Sequence, residues 1–262
     1  MAHSKQVRLR VKPLSASDLP LVSVITVVRN GAATISRTIE SVRSQREVDV
    51  EHVIVDGASS DLTVEQITAG KHGKLRWISE QDKSIYDAMN KGIGMARGEW
   101  ILFLGADDQL ADGNVLRDLF SDGNQSNYKL LCGRSKYING KICVASLNWH
   151  TLIFNTAQHQ AVLYHRSLFG SFRYRIDIPI IADYELNFLA YYKKLPTRTF
   201  ERDISVCGNT GVSQTANHYV AQINAFRIRT RYIKTLFNIG LLSLGFANVL
   251  ATQLRGALGY GK

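Results

Sequence analysis

Residues 21–104 alternate between short apolar runs and segments of helical period, and few folds accept that alternation. The runs are 21–28 (LVSVITVV), 50–55, 75–79 and 100–104. Each has strand length, and the first is rich in β-branched residues, as expected of a strand buried on both faces. Between the first two runs, Ile35, Ile39 and Val42 fall at i, i+4 and i+7 on one helical face. Residues 62–69 read as a second helix. A third covers 85–96, with Ile85, Ala88, Met89 and Ala96 on one side and Gly98 placed to end it. Strand, helix, strand, helix, strand, helix, strand predicts a doubly wound α/β fold, a mainly parallel sheet flanked by helices.

In such a sheet, ligands bind beyond the carboxyl ends of the strands. The fourth run ends at Gly105-Ala106, and Asp107 and Asp108 follow at once. Two adjacent carboxylates repel unless a proton or a cation joins them. Water relieves them on a surface turn. At the end of a buried strand they suit a hard divalent cation, Mn²⁺ or Mg²⁺, which can in turn hold a diphosphate. The second run stops at residues 56–61 (DGASSD), where turn and helix-capping chemistry coincide. Asn30-Gly31 turns the chain after the first.

Beyond residue 112 the alternation stops. Leu130-Leu131-Cys132 and the hairpin dipeptide Asn139-Gly140 suggest antiparallel strands. Residues 161–165 read as another strand, 184–192 as a helix stopping before Pro196, and 206–213 (VCGNTGVS) as a glycine-containing loop. From Tyr219 the chain is helical in pattern. Arg227, Arg229, Arg231 and Lys234 precede residues 236–251, which are apolar nearly all round but interrupted by Asn238 and Asn248. That run is too short and too polar to be read as a membrane span. A basic segment beside an apolar helix suits the surface of an anionic bilayer; a core-packing or dimer-forming helix has the same composition.

With 262 residues, 45% apolar and 21% charged, the chain can bury a full core. Its formal charge of +10 points to an anionic partner: a nucleotide diphosphate, nucleic acid or an acidic membrane face. A nucleic-acid binder would need clustered Lys and Arg with exposed aromatics, and has no use for Asp107-Asp108. A nucleotidyltransferase would show a glycine-rich phosphate loop after the first strand, where residues 29–34 (RNGAAT) hold one glycine. Cys132, Cys143 and Cys207 lie far apart without metal-ligand spacing, as free thiols in a reducing compartment do. Residues 1–20 are polar and basic (Lys5, Arg8, Arg10, Lys12), without the apolar core of a secretory signal, and read as a loose arm. The expected location is cytoplasmic.

Six segments in order carry a family resemblance: 22–30 (VSVITVVRN), 53–63 (VIVDGASSDLT), 79–93 (SEQDKSIYDAMNKGI), 96–108 (ARGEWILFLGADD), 159–169 (HQAVLYHRSLF) and 181–186 (IADYEL). The chain resembles family 2 glycosyltransferases with the GT-A fold, in the bacterial branch that builds surface polysaccharides and glycolipids, including the colanic-acid type enzymes. Two positions depart from the family pattern. Gly105 stands where many relatives begin an Asp-x-Asp-Asp motif, and Ser84 replaces the usual glycine before Ile-Tyr-Asp-Ala.

The resemblance implies an inverting transfer of a sugar from a nucleotide-diphosphate donor, a UDP-sugar in the first instance, to a saccharide or lipid-linked acceptor. It divides the chain into the arm 1–20, a donor half 21–112, an acceptor half 113–218 and a helical extension 219–262, the last at the inner face of the plasma membrane. Asp56 is expected to accept the base N–H, with Thr26 and Asn30 lining the base pocket, Asp82 facing the nucleotide and Asp107 at the ribose. Asp87 and Asn90 are donor-site candidates beside Tyr86, although Asp87 and Lys91 also suit a solvated i,i+4 pair. Asp108 is the expected direct ligand of Mn²⁺ or Mg²⁺. Asp183, at a helix start, takes the place of the general base, with Glu185 second. His159 borders the acceptor; His165 has the weaker claim. Residues 208–213 form a loop that closes over the diphosphate or simply turns the chain. Donor sugar, acceptor, linkage and oligomeric state are not encoded in any of these motifs.

Overall fold

The computed structural model describes residues 19–208 and 217–257. The arm expected over 1–20 lies outside them apart from Leu19 and Pro20, and so does the loop 209–213. Strands β1 (Val22–Val28), β2 (Val50–Asp56), β3 (Leu75–Ser79) and β4 (Trp100–Phe103) run parallel in the order β3-β2-β1-β4. Helices α1 (Ile35–Arg43), α2 (Thr63–Ala69) and α3 (Ile85–Met95) connect them. Successive strand residues face opposite ways, and both faces are covered. Ile25, Val53 and Ile101 pack against Tyr86, Met89 and Ile93 of α3. On the other face, Val22, Val24 and Leu102 pack with Val42, and Ile54 packs with Ile35, Ile39 and Ile67. Two-sided burial is the reason β1 and β4 read as nearly continuous apolar runs, while the edge strand β3 is only partly covered. At Gly92 a Cβ would come 2.5 Å from the Ile25 side chain, so only glycine lets α3 lie this close to β1.

The sheet continues with mixed direction. β8 (Val162–His165) runs antiparallel to β4, and β6 (Leu130–Tyr137) antiparallel to β8. β9 (Thr197–Cys207) follows parallel to β6, and β5 (Gln109–Leu110) closes the order antiparallel to β9. β7 (Ile142–Val144) pairs with β6 through the Asn139-Gly140 turn, where Gly140 has φ +85°. Helices α4 (Val115–Phe120) and α5 (Asp183–Tyr192) complete this half.

The sequence pattern does not show β9. Its polar side chains make ion pairs along the sheet: Arg202 with Asp112 at 2.7 Å and Asp118 at 3.0 Å, Asp203 with Arg134 at 2.6 Å, and Arg198 with Asp122. A strand paired in that way needs no apolar run.

Beyond the sheet come α6 (His218–Arg229) and α7 (Thr235–Ala257). The inner face of α6 is mixed, with Gln222, Asn224 and Arg229 buried beside Ala225 and Ile228. Arg229 donates from Nε to Asn238 Oδ1 of α7 at 2.8 Å, and from Nη1 to Tyr184 Oη at 3.2 Å and Ile153 O at 3.4 Å. Asn238 therefore anchors α7 rather than interrupting it. α7 runs past both ends of the apolar stretch and is, by length and composition, able to cross a membrane, contrary to the expectation that it is too short. It buries a narrow stripe, Asn238, Leu241 and Val249, and leaves Leu236, Phe237, Leu244 and Leu250 exposed.

Candidate active site

The carboxyl ends of β1, β2 and β3 finish level, with Val28 opposite Asp56 and Asp56 opposite Ser79. Asp56 is fully buried there. Its Oδ2 accepts from Ser59 N at 3.0 Å and Ser79 Oγ at 2.6 Å, and its Oδ1 from Ser59 Oγ. A carboxylate has about four acceptor positions, so three donors leave room for one more N–H. The chain leaves both strands through left-handed residues, Asn30 at φ 55° and Ala58 at φ 53°. Such a φ is uncommon outside glycine and asparagine. Asn30 Oδ1 accepts from Ser60 N at 2.9 Å, and Asn30 N donates to Ser59 Oγ at 2.7 Å. The two loops thus form one rim around Asp56. A Cβ on Gly57 would lie 2.9 Å from Asp82 Oδ2 and 3.5 Å from Arg29 Cβ, so both side chains border this place. Asp82 pairs with Lys91 at 2.6 Å, and Lys91 also reaches Glu80 at 2.8 Å. Their hydrogen bonds hold the Lys91 ammonium above its ordinary pKa.

The segment after β4 is pinned from α1, where the buried Thr38 hydroxyl donates to Ala106 O at 2.9 Å and Asp108 O at 2.7 Å. The Asp108 carboxylate is almost fully buried and turns back on its own loop. Gly105 N donates to Oδ2 at 2.9 Å, Gly208 N to Oδ1 at 3.0 Å, and Gln160 Nε2 to Oδ2 at 3.2 Å. Burial and then the Asp107 charge raise its pKa, against those three donors. The glycine at 105 has a structural consequence. A Cβ there would sit 2.6 Å from Asp108 Oδ2, so the position is glycine where the carboxylate folds back. At Gly208, a Cβ would collide with the Asp107 carboxylate, which brings the end of β9 against the pair. A buried carboxylate of raised pKa beside a second one concentrates negative charge, and its donor set is oxygen only. Both properties fit a hard divalent cation. Among the described residues no group of three or more His, Cys, Asp or Glu could hold a metal, so ligands from the substrate would have to complete the shell.

Asp183 opens α5 and is 7% exposed. Ile181 just before it has φ 64°, a strained conformation for a β-branched residue and one that recurs at functional sites. Tyr86 Oη donates to Asp183 Oδ1 at 3.2 Å and Asn155 Nδ2 to Oδ2 at 2.8 Å, while His159 Nδ1 stands 3.5 Å from Oδ2. Burial by itself would raise this carboxyl. His159, Asn155 and Tyr86 outweigh it and hold the pKa below the ordinary value, so Asp183 is ionised at neutral pH. Tyr86 is pushed the other way, by burial and by the Asp183 charge, and stays a donor. His159 and Gln160 are consecutive in one 3₁₀ turn, residues His159–Ala161. One touches Asp183 and the other Asp108.

Several expected side chains have other partners. Thr26 is fully buried and shares a 2.9 Å hydrogen bond with His52 Nε2 inside the sheet, rather than lining an open pocket. Asn90 pins a loop: its Nδ2 donates to Tyr174 O at 2.8 Å and its Oδ1 accepts from Tyr174 N at 2.9 Å. Asp87 caps its own helix start, accepting from Lys83 N at 3.0 Å; its pairing with Lys91 is loose at 3.9 Å. Glu185 is buried toward the C-terminal helices, accepting from Tyr232 Oη at 2.5 Å with Arg231 at 3.5 Å, away from Asp183's partners. His165 stacks edge-on against Trp100 on the sheet's far part.

Gln160, Asn155, Ser59, Ser79 and Arg29 belong to these clusters without having been expected there. Gln160 and Arg29 lie inside motif segments, next to residues that were singled out. Asn155 sits in irregular chain with no periodic signal, and only the fold brings it to Asp183.

The sequence profile described as Glycosyl transferase family 2 matches residues 23–184. A PGL/p-HBAD biosynthesis glycosyltransferase of Mycobacterium bovis (strain BCG / Pasteur 1173P2) is 32% identical over 181 residues, covering 64% of this chain and 68% of the relative. The succinoglycan biosynthesis protein ExoO of Rhizobium meliloti is 35% identical over 108 residues, 41% of this chain and 31% of ExoO. Among solved structures, S. aureus TarS 1–349 in complex with UDP-GlcNAc superposes with a TM-score of 0.67 at 16% identity, covering 86% of this chain and 71% of that one. The mannosyltransferase PcManGT of Pyrobaculum calidifontis, in complex with GDP-Man and Mn²⁺, gives 0.61 at 15% identity over 93% and 79%. At such identities the structural likeness is one of fold, the GT-A-like α/β sheet.

Proposed function

The chain belongs to glycosyl transferase family 2 and is an enzyme of that family, and on that premise we propose that it moves a sugar, with inversion, from a nucleotide-diphosphate donor to a hydroxyl of a saccharide or lipid-linked acceptor in bacterial surface-polysaccharide or glycolipid assembly. The mycobacterial and succinoglycan relatives support the pathway class, and the segment pattern supports the colanic-acid type branch within it. UDP is the first choice of nucleotide because the family resemblance implies uracil, with Asp56 as the acceptor of its N–H. Asp82 and Arg29 border that pocket, and Asp107 takes the ribose.

One observation carries the reading. Consecutive residues of one turn, His159 and Gln160, reach the two carboxylates that an inverting transfer needs at its opposite ends. On the acceptor side, Asp183 takes the proton from the hydroxyl as its oxygen attacks the anomeric carbon. Tyr86 and Asn155 orient the carboxylate and keep it charged until then. On the donor side, Asp108 with Asp107 beside it would hold Mn²⁺ or Mg²⁺. Such an ion supplies charge neutralisation for the departing diphosphate, and PcManGT's Mn²⁺ supports the choice of metal.

The C-terminal helices suit the inner face of the plasma membrane. α7 presents Leu236, Phe237, Leu244 and Leu250 outward, and Arg227, Arg231 and Lys234 lie beside its start, a basic edge that matches anionic headgroups.

Asp183→Asn tests the chemical step. A positioned base contributes about 10²–10⁴ in rate, so kcat should fall by that much with donor affinity nearly unchanged. Wild-type kcat in the variant would remove the assignment.

A further inference from the structure

Beside Asp183 lies a cavity of ≈ 340 Å³, lined by Val144, Ser146, Asn155, Thr156 and Gln158 among others. That volume is within the range of about 300–1,000 Å³ that small-molecule sites occupy. Asn155 belongs both to its wall and to the hydrogen bonds of Asp183. The wall is rigid. Asn155 Oδ1 accepts from Asn187 at 2.8 Å, Thr156 Oγ1 donates to Ser146 O at 2.5 Å, and Gln158 Oε1 accepts from Tyr137 Oη at 3.1 Å.

The chemistry of the lining is selective. Its polar side chains are neutral, the hydroxyls and amides of Ser146, Asn155, Thr156 and Gln158 with the Cys143 thiol, and among the described residues no Lys, Arg, Asp or Glu lines it. Such a wall suits sugar hydroxyls and brings no charge to balance a phosphate. The rim differs from the wall. Val144 is 54% exposed, and Ile142, on the same side of β7, is 51% exposed. Trp149 is 56% exposed on a 3₁₀ turn that is stitched to the same wall, through Asn148 Nδ2 donating to Ser146 Oγ at 3.1 Å and Thr151 Oγ1 bonded to Thr156 Oγ1 at 2.6 Å. The back of this turn meets Arg229 of α6 at Ile153 O. Exposed apolar side chains, Val144 on the wall itself and Ile142 and Trp149 on the elements next to it, suit a ligand with an apolar part beside its hydroxyl-bearing one.

We infer that this cavity and its rim bind the acceptor, and that the acceptor is a neutral amphiphile: a sugar or similar hydroxyl-bearing head in the cavity, with an apolar group attached close to it and laid over Val144, Ile142 and Trp149. The inference rests on the transferase reading and adds to it the class of acceptor. The reacting hydroxyl then meets Asp183 past Asn155, and the apolar group emerges on the side of the molecule where α6 and α7 pack.

The probes are octyl β-glucoside and octyl β-galactoside below their micellar concentrations, against the methyl glycosides. Trp149 is the most exposed of three tryptophans, with Trp100 buried, so its emission reports on the rim. Octyl glycosides should blue-shift that emission with saturation and methyl glycosides should not. Val144→Asp puts a charge on the rim at an exposed position and should weaken octyl-glycoside binding at least tenfold, with an unchanged unfolding midpoint. Trp149→Ala should abolish the spectral change and weaken calorimetric binding. Equal affinity for octyl and methyl glycosides, or octyl binding untouched by Val144→Asp, would overturn the inference. So would a concentration-dependent dimer that Val144→Asp dissolves while octyl glycosides do nothing, since the rim would then cover a second copy. Nucleotide-sugar binding is measured separately: its absence in protein that still shows the octyl effect would remove the transferase reading and keep the amphiphile site.

Discussion

At Asp183 three donors oppose burial, and the balance fixes how the enzyme should respond to pH. Its folded pKa lies below the ordinary value, so the stabilisation it brings is present above the unfolded pKa, about 3.9, and is lost only as pH falls through the lower folded value. On the proposed base role, the same ionisation should set the acid limb of kcat. Removing a donor raises the pKa, so His159→Ala should move that limb to higher pH; a superposable pH–rate profile would take His159 out of the base's surroundings. Asp108 behaves in the opposite sense. Its pKa is raised by burial and by Asp107, so in metal-free protein its charge costs stability as pH rises from the unfolded toward the folded value. Asp108→Asn removes that charge and should leave the melting temperature in EDTA at pH 7 equal or higher than wild type; a large drop would show that the ionised carboxylate holds the loop. Of these groups, Asp56, Asp107, Asp108 and Asp183 were legible because strand ends and motif segments point to them. Gln160 and Asn155 were not, because their partners lie 52 and 28 positions away and nothing local marks a long-range contact.

Element by element, legibility follows burial. β1 and β4 are buried on both faces and announce themselves as apolar runs; β9 carries ion-paired side chains and leaves no hydrophobic signature. The C-terminal helices show a related difference. α6 buries Gln222, Asn224 and Arg229, so an apolar-face count cannot orient it. Among the described residues Arg229 has no carboxylate partner and relies on Asn238, Tyr184 and Ile153. Asn238→Leu takes an acceptor from a buried guanidinium and should cost about 1–3 kcal/mol or more in urea unfolding; an unchanged midpoint would mean α7 docks without it. Removal of α6 and α7 would take Ala225, Ile228 and Arg229 from the core, so the membrane face is tested by point substitutions. Leu244→Glu with Leu250→Glu alters only the outer face. The pair should lower binding to phosphatidylglycerol vesicles while the fold persists, and undiminished binding would assign that face to something other than an anionic bilayer.

Taken whole, the molecule separates two tasks along one sheet. The parallel half ends at Asp56 and Asp107-Asp108, and the mixed half brings Asp183 and the cavity beside β7 to the same turn. A net charge of +10 favours an anionic donor from a distance, but the specific claim is a division of labour between Asp108 and Asp183. A ligand that binds only the native state adds to stability and appears directly in calorimetry. Titration of UDP with and without Mn²⁺ into wild-type, Asp108→Asn and Asp183→Asn protein tests that division most directly. Wild type and Asp183→Asn should bind UDP alike and only with metal, while Asp108→Asn should lose most of the metal-dependent affinity. UDP affinity in Asp108→Asn equal to wild type in the presence of Mn²⁺ would contradict the account.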